Sequence, residues 1–159
     1  YSYVDQPFTR QARFDFDLFR SHVGSAQRIM DDIIDLELEK VDAILQKIGS
    51  DPEREETKRV ELQLWQAIRR KAEEGRRTGI GITGEGDMLA ALNLRYGSEE
   101  ARDFSVKVHR ALALEAYRAS VATARERGAF PLFDAEREKE NPFILRLKEY
   151  FECENLELG

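Results

Sequence analysis

The sequence has 159 residues, enough for one domain and too few for two full ones. Hydrophobic residues make up 42% and charged residues 35%, a balance that argues against both intrinsic disorder and a membrane-embedded chain. The net charge of −6 argues against nonspecific binding to a nucleic-acid backbone, because no surplus of positive charge is present to displace counterions.

The first third of the chain predicts a short strand and one long helix. Tyr1–Val4 reads as the end of a β-strand. An apolar stripe with steps of three and four residues predicts a helix that begins near Phe14–Asp17 and ends at Gly49. The stripe loses register at Leu36–Glu39, where we expect a kink or break. Its members are Phe19, Val23, Ala26, Met30, Ile33, Val41, Ile44, Leu45 and Ile48.

A second helix is expected to follow Asp51 and Pro52, since aspartate caps free N–H groups and proline suits a first helical turn. Gly75 ends this helix, and its apolar stripe comprises Val60, Leu64 and Ile68, with Trp65 beside them. Residues Thr78–Thr83 alternate isoleucine with glycine, a period typical of a strand whose glycine face leaves room for a neighbouring backbone or ligand. A short helix follows, with Met88, Leu89, Ala91 and Leu92.

Two further helices are predicted in the second half of the chain. Ser98 caps the first and Gly128 ends it, with a buried side made of Ala101, Phe104, Val108, Leu112, Ala119 and Ala122. The apolar loop Phe130–Phe133 is expected to pack back on the core. Asn141-Pro142 begins a last helix, with Phe143, Leu147, Tyr150 and Phe151 on one side. The fold class is therefore mainly α, with one or two short strands at about Tyr1–Val4 and Thr78–Thr83.

Residues Gly79–Gly84 satisfy the letters of the motif G-x-G-x-x-G, whose glycines let a pyrophosphate approach a helix N-terminus in dinucleotide sites. Such a site also needs an acidic residue about 20 positions later, at the end of a second strand. Glu99 and Glu100 have nearly that spacing, but they lie in the predicted first turn of a helix. A tightly packed strand and turn is the favoured interpretation.

Acidic and histidine side chains on the predicted helices are the candidate metal ligands and catalysts. Asp31 and Asp35 share a helical face, which makes a carboxylate metal site conceivable, but the Glu and Glu-x-x-His pairs of a di-iron bundle are absent. A solvated helix face is favoured, and no metal site is expected. His22 and His109 have no predicted serine or cysteine nucleophile beside them, so structural or surface roles are favoured.

The remaining charged candidates can also be explained by structural roles. A basic run could touch phosphate, but Glu73 and Glu74 interrupt it, so a solvated helix end is favoured; its members are Arg69, Arg70, Lys71, Arg76 and Arg77. Glu115 lies near the apolar stripe of its helix, where it pairs with Arg118 or Arg125 or contacts a partner domain. These alternatives stay open at the level of the sequence.

The chain contains one cysteine, Cys153, so it forms no internal disulfide and no zinc site built from three or four cysteines. The neighbouring carboxylates Glu152 and Glu154 disfavour its thiolate, and we do not expect a reactive nucleophile. A single thiol is compatible with a reducing cytosol. With no apolar run of membrane-spanning length and no signal-peptide pattern, a cytoplasmic location is expected.

A family resemblance is carried by separated stretches: RIMDDIIDLE at 28–37, GRRTGIGITGEGDMLAAL at 75–92, LRYGS at 94–98, ALEAYRAS at 113–120, and RGAFP at 127–131 leading to DAERE at 134–138. In this order they resemble the catalytic subunit of ribonucleotide reductase. The first stretch and the Glu-Gly-Asp-Met turn at 85–88 are more similar to the adenosylcobalamin-dependent class II form than to class I. The resemblance covers roughly residues 1–148, and the tail 149–159 diverges from it.

The resemblance implies part of a ten-stranded α/β barrel. Residues 79–84 would be a barrel strand whose glycines allow close packing toward the interior, and Asp87 would help fix the turn after it. The family's radical-bearing cysteine lies on a central finger loop that would precede Tyr1–Val4, and its substrate-phosphate loop would follow the chain. No residue here inherits a catalytic role, Cys153 included, and no cofactor-binding residue is assigned.

Two hypotheses about function follow. In the first, the chain is an internal segment of a ribonucleoside-diphosphate reductase that uses adenosylcobalamin, dNTP effectors and a dithiol reductant. The segment alone is then expected to be inactive, to hold no cofactor and to self-associate through apolar patches. In the second, the chain is a non-catalytic helical interaction or scaffold module. Neither hypothesis includes a nucleic-acid or membrane partner.

Overall fold

The computed structural model describes residues 2–153, without the side chains of 147 and 150–153. Within this range a two-stranded hairpin precedes six helices, which confirms the mainly helical prediction. The elements are β1 (Val4–Asp5), β2 (Arg13–Phe14), α1 (Phe16–Ser50), α2 (Glu55–Gly75), α3 (Glu85–Ala91), α4 (Glu99–Arg127), α5 (Ala135–Lys139) and α6 (Pro142–Cys153). None of the helices in the described range is long and apolar enough to cross a membrane.

The hairpin closes one end of the molecule. Val4 pairs with Phe14 in an antiparallel register, and Arg13 forms an ion pair of 2.7 Å with Asp5. The Tyr3 ring meets the Phe19 ring edge-on, with centroids 5.1 Å apart, which ties the hairpin to the start of α1. The predicted strand at Tyr1–Val4 is present only at Val4, because the chain turns before it, and Tyr1 lies outside the described residues.

Helix α1 runs without interruption for 35 residues. Its first turn is capped by Asp15, whose carboxylate accepts a hydrogen bond of 2.9 Å from the backbone N–H of Leu18. The break predicted at Leu36–Glu39 is wrong: that stretch contains neither proline nor glycine, and the helix continues through it. The apolar stripe shifts register because α1 changes partner along its length, packing against α4 in its first half and against α2 in its second.

Helix α2 begins later than predicted. Asp51 does not cap it; Asp51 ends α1 instead, and its carboxylate accepts a hydrogen bond of 2.6 Å from Lys47. Arg54 precedes α2 without a side-chain cap. The apolar stripe of α2 is only partly covered: Val60 and Leu64 are 58% and 57% exposed, whereas Ile68 is half-buried. Helix α1 is the principal element against which α2 packs, and Val60 and Leu64 stay largely exposed beside this contact.

The hydrophobic core lies between the hairpin, the first half of α1, α3 and the first half of α4. Its buried members are Val4, Phe19, Val23, Met88, Leu89, Ala91, Ala101, Val108 and Ala111. Ser98 caps α4 as predicted, accepting a hydrogen bond of 3.2 Å from the Ala101 N–H. Phe104 and Leu112 are partly buried and Ala119 is half-buried. Ala122 is exposed, contrary to prediction, because α4 has extended beyond the core by that point.

The end of the chain packs less closely than predicted. Phe130, Leu132 and Phe133 remain exposed rather than packing on the core, although the Leu132 N–H donates a hydrogen bond of 3.1 Å to the Glu74 carbonyl. The last helix does begin at Pro142, with the Asn141 side chain accepting from the Phe143 N–H at 3.0 Å. Of its predicted apolar side, the Leu147, Tyr150 and Phe151 side chains lie outside the described residues.

The strand predicted at Thr78–Thr83 does not form in this chain. A strand is defined by hydrogen bonds to a neighbouring strand. None of residues 77–83 makes a backbone–backbone hydrogen bond within the described part of the chain. The predicted alternation nevertheless holds, since Ile80 and Ile82 are half-buried against the core whereas Gly79 and Gly81 are exposed.

Two valines on α4 give a matched test of the core. Val108 is 1% exposed and Val106, two residues earlier, is 59% exposed. We expect Val108→Ala to lower the free energy of unfolding by about 2 kcal/mol, because it removes buried methyl groups and leaves a cavity. Val106→Ala should change it by less than about 0.5 kcal/mol. Urea unfolding followed by circular dichroism measures both; equal losses would contradict this location of the core.

Candidate functional site

The segment 77–83, which we call the glycine segment, has one covered side and one open side. Its isoleucines pack against the core cluster. A Cβ atom added at Gly79 or Gly81 would meet no atom within 4 Å. The backbone N–H and C=O groups of the segment have no backbone partner within the described residues. The segment therefore presents an unpaired, strand-like edge, a surface suited to pairing with another strand.

A cavity of about 300 Å³ lies beneath the glycine segment, between Ile80 and Ile82 on one side and Phe19 and Val23 of α1 on the other. His22 lines it, with its ring Nδ1 3.3 Å from the Tyr3 hydroxyl. On the far side, Glu85 lines the cavity and lies 3.8 Å from His109 Nδ1, which also contacts the Ser105 carbonyl at 3.0 Å. The described contacts of the two histidines are thus with Tyr3, with Glu85 and with a backbone carbonyl.

The glycine segment ends in a turn that opens α3. Gly84 has φ 74°, a left-handed conformation that glycine adopts without strain. Helix α3 contains only seven residues and follows an unpaired segment, so the strand and long helix of a dinucleotide-binding unit are not formed here. Asp87 lies in the first turn of α3, where its charge is favourable.

Five charged residues anchor the start of the glycine segment, and we call them the ion-pair cluster: Asp31, Asp32, Asp35, Arg76 and Arg127. Arg76 donates to Asp31 Oδ1 at 2.8 Å, to Asp35 Oδ1 at 2.7 Å and to the Asp31 carbonyl at 3.0 Å. Arg127 donates to Asp31 Oδ2 at 2.7 Å and to Asp32 Oδ1 at 2.6 Å. The cluster thereby joins α1 to the ends of both α2 and α4.

Two further contacts extend this anchor along α1. Arg28 forms a two-point ion pair with Glu126 of α4, with distances of 2.6 and 2.7 Å. The Gln27 amide donates to the Thr78 hydroxyl at 3.0 Å and so holds the first part of the glycine segment against α1. Since Gln27, Arg28 and Asp31 follow one another on α1, a single stretch of that helix fixes the ends of α2 and α4 and the segment between α2 and α3.

The structure corrects two predictions about these charges. Carboxylate oxygens of the three aspartates lie within 4.8 Å of one another, as in a metal site, but arginine donors occupy all three side chains. The favoured solvated face is wrong for Asp31, whose side chain is only 14% exposed. The favoured solvated helix end is likewise wrong for Arg76, which is 21% exposed, and for Arg69, which pairs with Asp42 at 2.6 Å.

Other predicted candidates take no part in the cluster. Glu115 lies 3.7 Å from Arg118, which is one of the alternatives left open by the sequence. Cys153 ends α6, and its side chain lies outside the described residues. The residues that sequence reasoning missed are the arginine partners of Asp31. The i,i+4 spacing of Asp31 and Asp35 was visible, but Arg76 and Arg127 lie 45 and 96 residues away from Asp31.

The cluster has a defined electrostatic consequence. Hydrogen bonding from Arg76, and then its charge and that of Arg127, hold the pKa of Asp31 below its usual value of 3.8, against the opposing effect of burial. Asp31 is also next to the carboxylates of Asp32 and Asp35, so the two arginines must offset like-charge repulsion as well. Hydrogen bonding and charge from Arg28 similarly lower the pKa of Glu126.

These shifts predict sensitivity to acid. A carboxyl group whose folded-state pKa is lowered stabilises the fold above its unfolded-state pKa, and this stabilisation is lost as the pH falls through the folded-state pKa. We therefore expect stability to fall below pH 3.8 as Asp31 becomes protonated. The variant Asp31→Asn should be less stable than wild type at pH 7 and should lose less stability on acidification.

Urea midpoints measured at pH 7, 5 and 3 test this prediction. Asp103→Asn is the matched control, because Asp103 is exposed and makes no ion pair within the described residues. The urea midpoint of the control should depend on pH in the same way as that of the wild type. If Asp31→Asn also retained it in full, the cluster would not be the source of the acid sensitivity.

Comparison with known proteins identifies relatives over most of the chain. The profile of the family described as "Ribonucleotide reductase, barrel domain" matches residues 3–154. A vitamin B12-dependent ribonucleoside-diphosphate reductase of Thermoplasma acidophilum is 32% identical over 129 residues, 80% of this chain. One of Mycobacterium tuberculosis is 32% identical over 125 residues, 79% of this chain. These matches confirm the resemblance to the B12-dependent form.

The matches also show how much of each relative this chain covers. The chain spans 14% of the length of the Thermoplasma relative and 15% of the Mycobacterium relative. A ribonucleoside-diphosphate reductase large subunit of African swine fever virus is 38% identical over 68 residues, which is 43% of this chain and 9% of the viral protein. No solved structure matches the chain significantly.

Proposed function

Because the chain belongs to the ribonucleotide reductase barrel-domain family, we propose that it forms part of the catalytic barrel of a B12-dependent ribonucleoside-diphosphate reductase. Its activity would be the radical reduction of ribonucleoside diphosphates to deoxyribonucleotides in the cytoplasm, with a dithiol as reductant and dNTPs as effectors. The names of the relatives support the substrate class and the B12 dependence.

One structural observation carries this proposal: the unpaired edge of the glycine segment. Residues 78–83 keep the burial pattern of a strand, yet they have no strand partner within the described residues. A barrel strand needs a neighbour on each side. The face that Gly79 and Gly81 share is open as well, which leaves room for another part of a barrel to pack closely on it. We therefore assign residues 78–83 to a barrel strand whose partners come from other parts of the reductase.

In this proposal the chain contributes structure rather than catalytic groups. No contact with adenosylcobalamin is assigned to its residues. Radical chemistry would then belong to cysteines elsewhere in the enzyme.

The alternative is a helical interaction or scaffold module without chemistry. The exposed side chains Val60 and Leu64 favour it to the extent that they offer an apolar face on α2. The two functions differ in what the chain does inside a reductase. A scaffold module would restore no activity to an enzyme that lacks this segment.

A chimera tests the proposed function directly. In the Thermoplasma enzyme, this chain would replace the matching 129-residue segment, and CDP reduction would be assayed with adenosylcobalamin and dithiothreitol. We expect the chimera to reduce CDP and the chain alone to show no activity. Circular dichroism and adenosylcobalamin binding establish that the chimera is folded. A folded, cofactor-binding chimera without activity would contradict the proposal, as would activity of the chain alone.

Two glycines make the strand assignment testable in that chimera. Gly81 and Gly49 both have open space around an added Cβ, but only Gly81 lies on the proposed strand. We expect Gly81→Leu to lower CDP reduction by at least about tenfold, because its side chain would fill the space in which the barrel interior packs on the glycine face, while changing the stability of the isolated chain by less than about 0.5 kcal/mol. Gly49→Leu should leave the rate within about twofold. Equal rates for both variants would contradict a barrel strand whose glycine face is closely packed at this position.

A further inference from the structure

Arg76 has a backbone conformation that arginine rarely adopts. It is the C-terminal cap of α2, with φ 37° and ψ 50°, in the left-handed region. Glycine is the usual residue at such a helix end, because a Cβ atom makes this conformation unfavourable. In this chain the glycine, Gly75, lies one position earlier as the last helical residue. A compensating interaction is therefore expected at the Arg76 side chain.

The compensating interaction is the set of three hydrogen bonds from the Arg76 guanidinium to α1. It contacts the Asp31 carboxylate, the Asp31 carbonyl and the Asp35 carboxylate, at 2.7 to 3.0 Å. The Arg76 side chain is mostly covered. Its backbone N–H also closes the last turn of α2 by donating to the Ala72 carbonyl at 3.0 Å. The side chain thus joins a left-handed turn to a specific point on α1.

Asp31 is itself held from a second direction. Arg127, at the end of α4, donates to the other carboxylate oxygen of Asp31 at 2.7 Å. The acceptor that Arg76 uses is therefore fixed in place rather than free to change rotamer. Two residues after Arg76, Thr78 forms its own hydrogen bond to Gln27 of α1. The chain direction after α2 is determined between these two contacts.

We propose that Arg76 is a positioning residue: its guanidinium, held by Asp31 and Asp35, sets the direction in which the glycine segment leaves α2. That direction places Ile80 and Ile82 against the core and leaves Gly79 and Gly81 on the open side. The positioning is a property of this chain. It rests on the proposed function only in identifying the positioned segment as a barrel strand.

Arg77 provides the matched control. It carries the same charge one position later, is exposed, and makes no ion pair within the described residues. If only the positive charge at this turn mattered, removing Arg76 and removing Arg77 would have the same effect on the position of the segment. If the cap needed only a residue in the left-handed conformation, Arg76→Gly would leave the stability unchanged or raise it, since glycine removes the strain.

The experiment measures the position of the segment by pulsed electron spin resonance on the full 159-residue chain. Spin labels are attached at Gly81→Cys on the open side and at Gln46→Cys, an exposed position on α1, in a Cys153→Ser background. We expect a single narrow distance distribution for the parent and for Arg77→Ala. Arg76→Ala and Arg76→Gly should each at least double its width.

Arg76→Lys should give an intermediate width, because an ammonium group retains one ion pair but loses the forked geometry. An unchanged distribution in Arg76→Gly, or equal broadening in Arg77→Ala, would overturn the proposal. Circular dichroism checks that the helices persist. If the Arg76 variants unfold, the variant Asp35→Asn tests the proposal instead, because it removes one of the three contacts of Arg76. A distance distribution as narrow as the parent's in Asp35→Asn would overturn the proposal. No reductase assay is involved, so either proposal can fail without the other.

Discussion

The arrangement of this chain depends on one carboxylate that two arginines share. Asp31, on the buried side of α1, accepts from Arg76 at the end of α2 and from Arg127 at the end of α4. Ion pairs exposed to water contribute little to stability. This carboxylate is mostly covered, and its two forked partners leave few of its acceptor positions unused. Because each partner ends a helix, the cluster fixes where both helices stop and how the chain continues from them.

The anchoring by α1 explains how the glycine segment stays extended without a paired strand. A strand without neighbours normally loses its conformation, since an isolated extended segment gains too little burial to offset its conformational entropy. Here Ile80 and Ile82 are packed on the core, and the start of the segment is tied to α1 through Arg76 and Thr78. The edge is thereby kept extended on one side of the molecule, where strands from other parts of the proposed barrel would pair with it.

Local patterns predicted most of the helical fold. The caps at Ser98 and Asn141, the ends at Gly75 and Gly128, and the alternation of Ile80 and Ile82 follow from side chains near one another in sequence. Local patterns were less successful in predicting which apolar side chains are buried. Val60, Leu64 and the loop Phe130–Phe133 have the composition of buried surface and remain exposed, because burial depends on what else packs there. The Asp31 partnerships were out of reach for the same reason, since no local signal pairs residues 45 and 96 positions apart.

A double-mutant cycle between Arg76 and Arg127 tests the shared carboxylate most directly. If both arginines act through Asp31, the losses in unfolding free energy for Arg76→Ala and Arg127→Ala should not add: the double variant should differ from their sum by about 1 kcal/mol. The Asp31→Asn background should remove most of this difference. Losses that add to within about 0.3 kcal/mol in both backgrounds would show that the two arginines act independently, and would contradict a fold organised around Asp31.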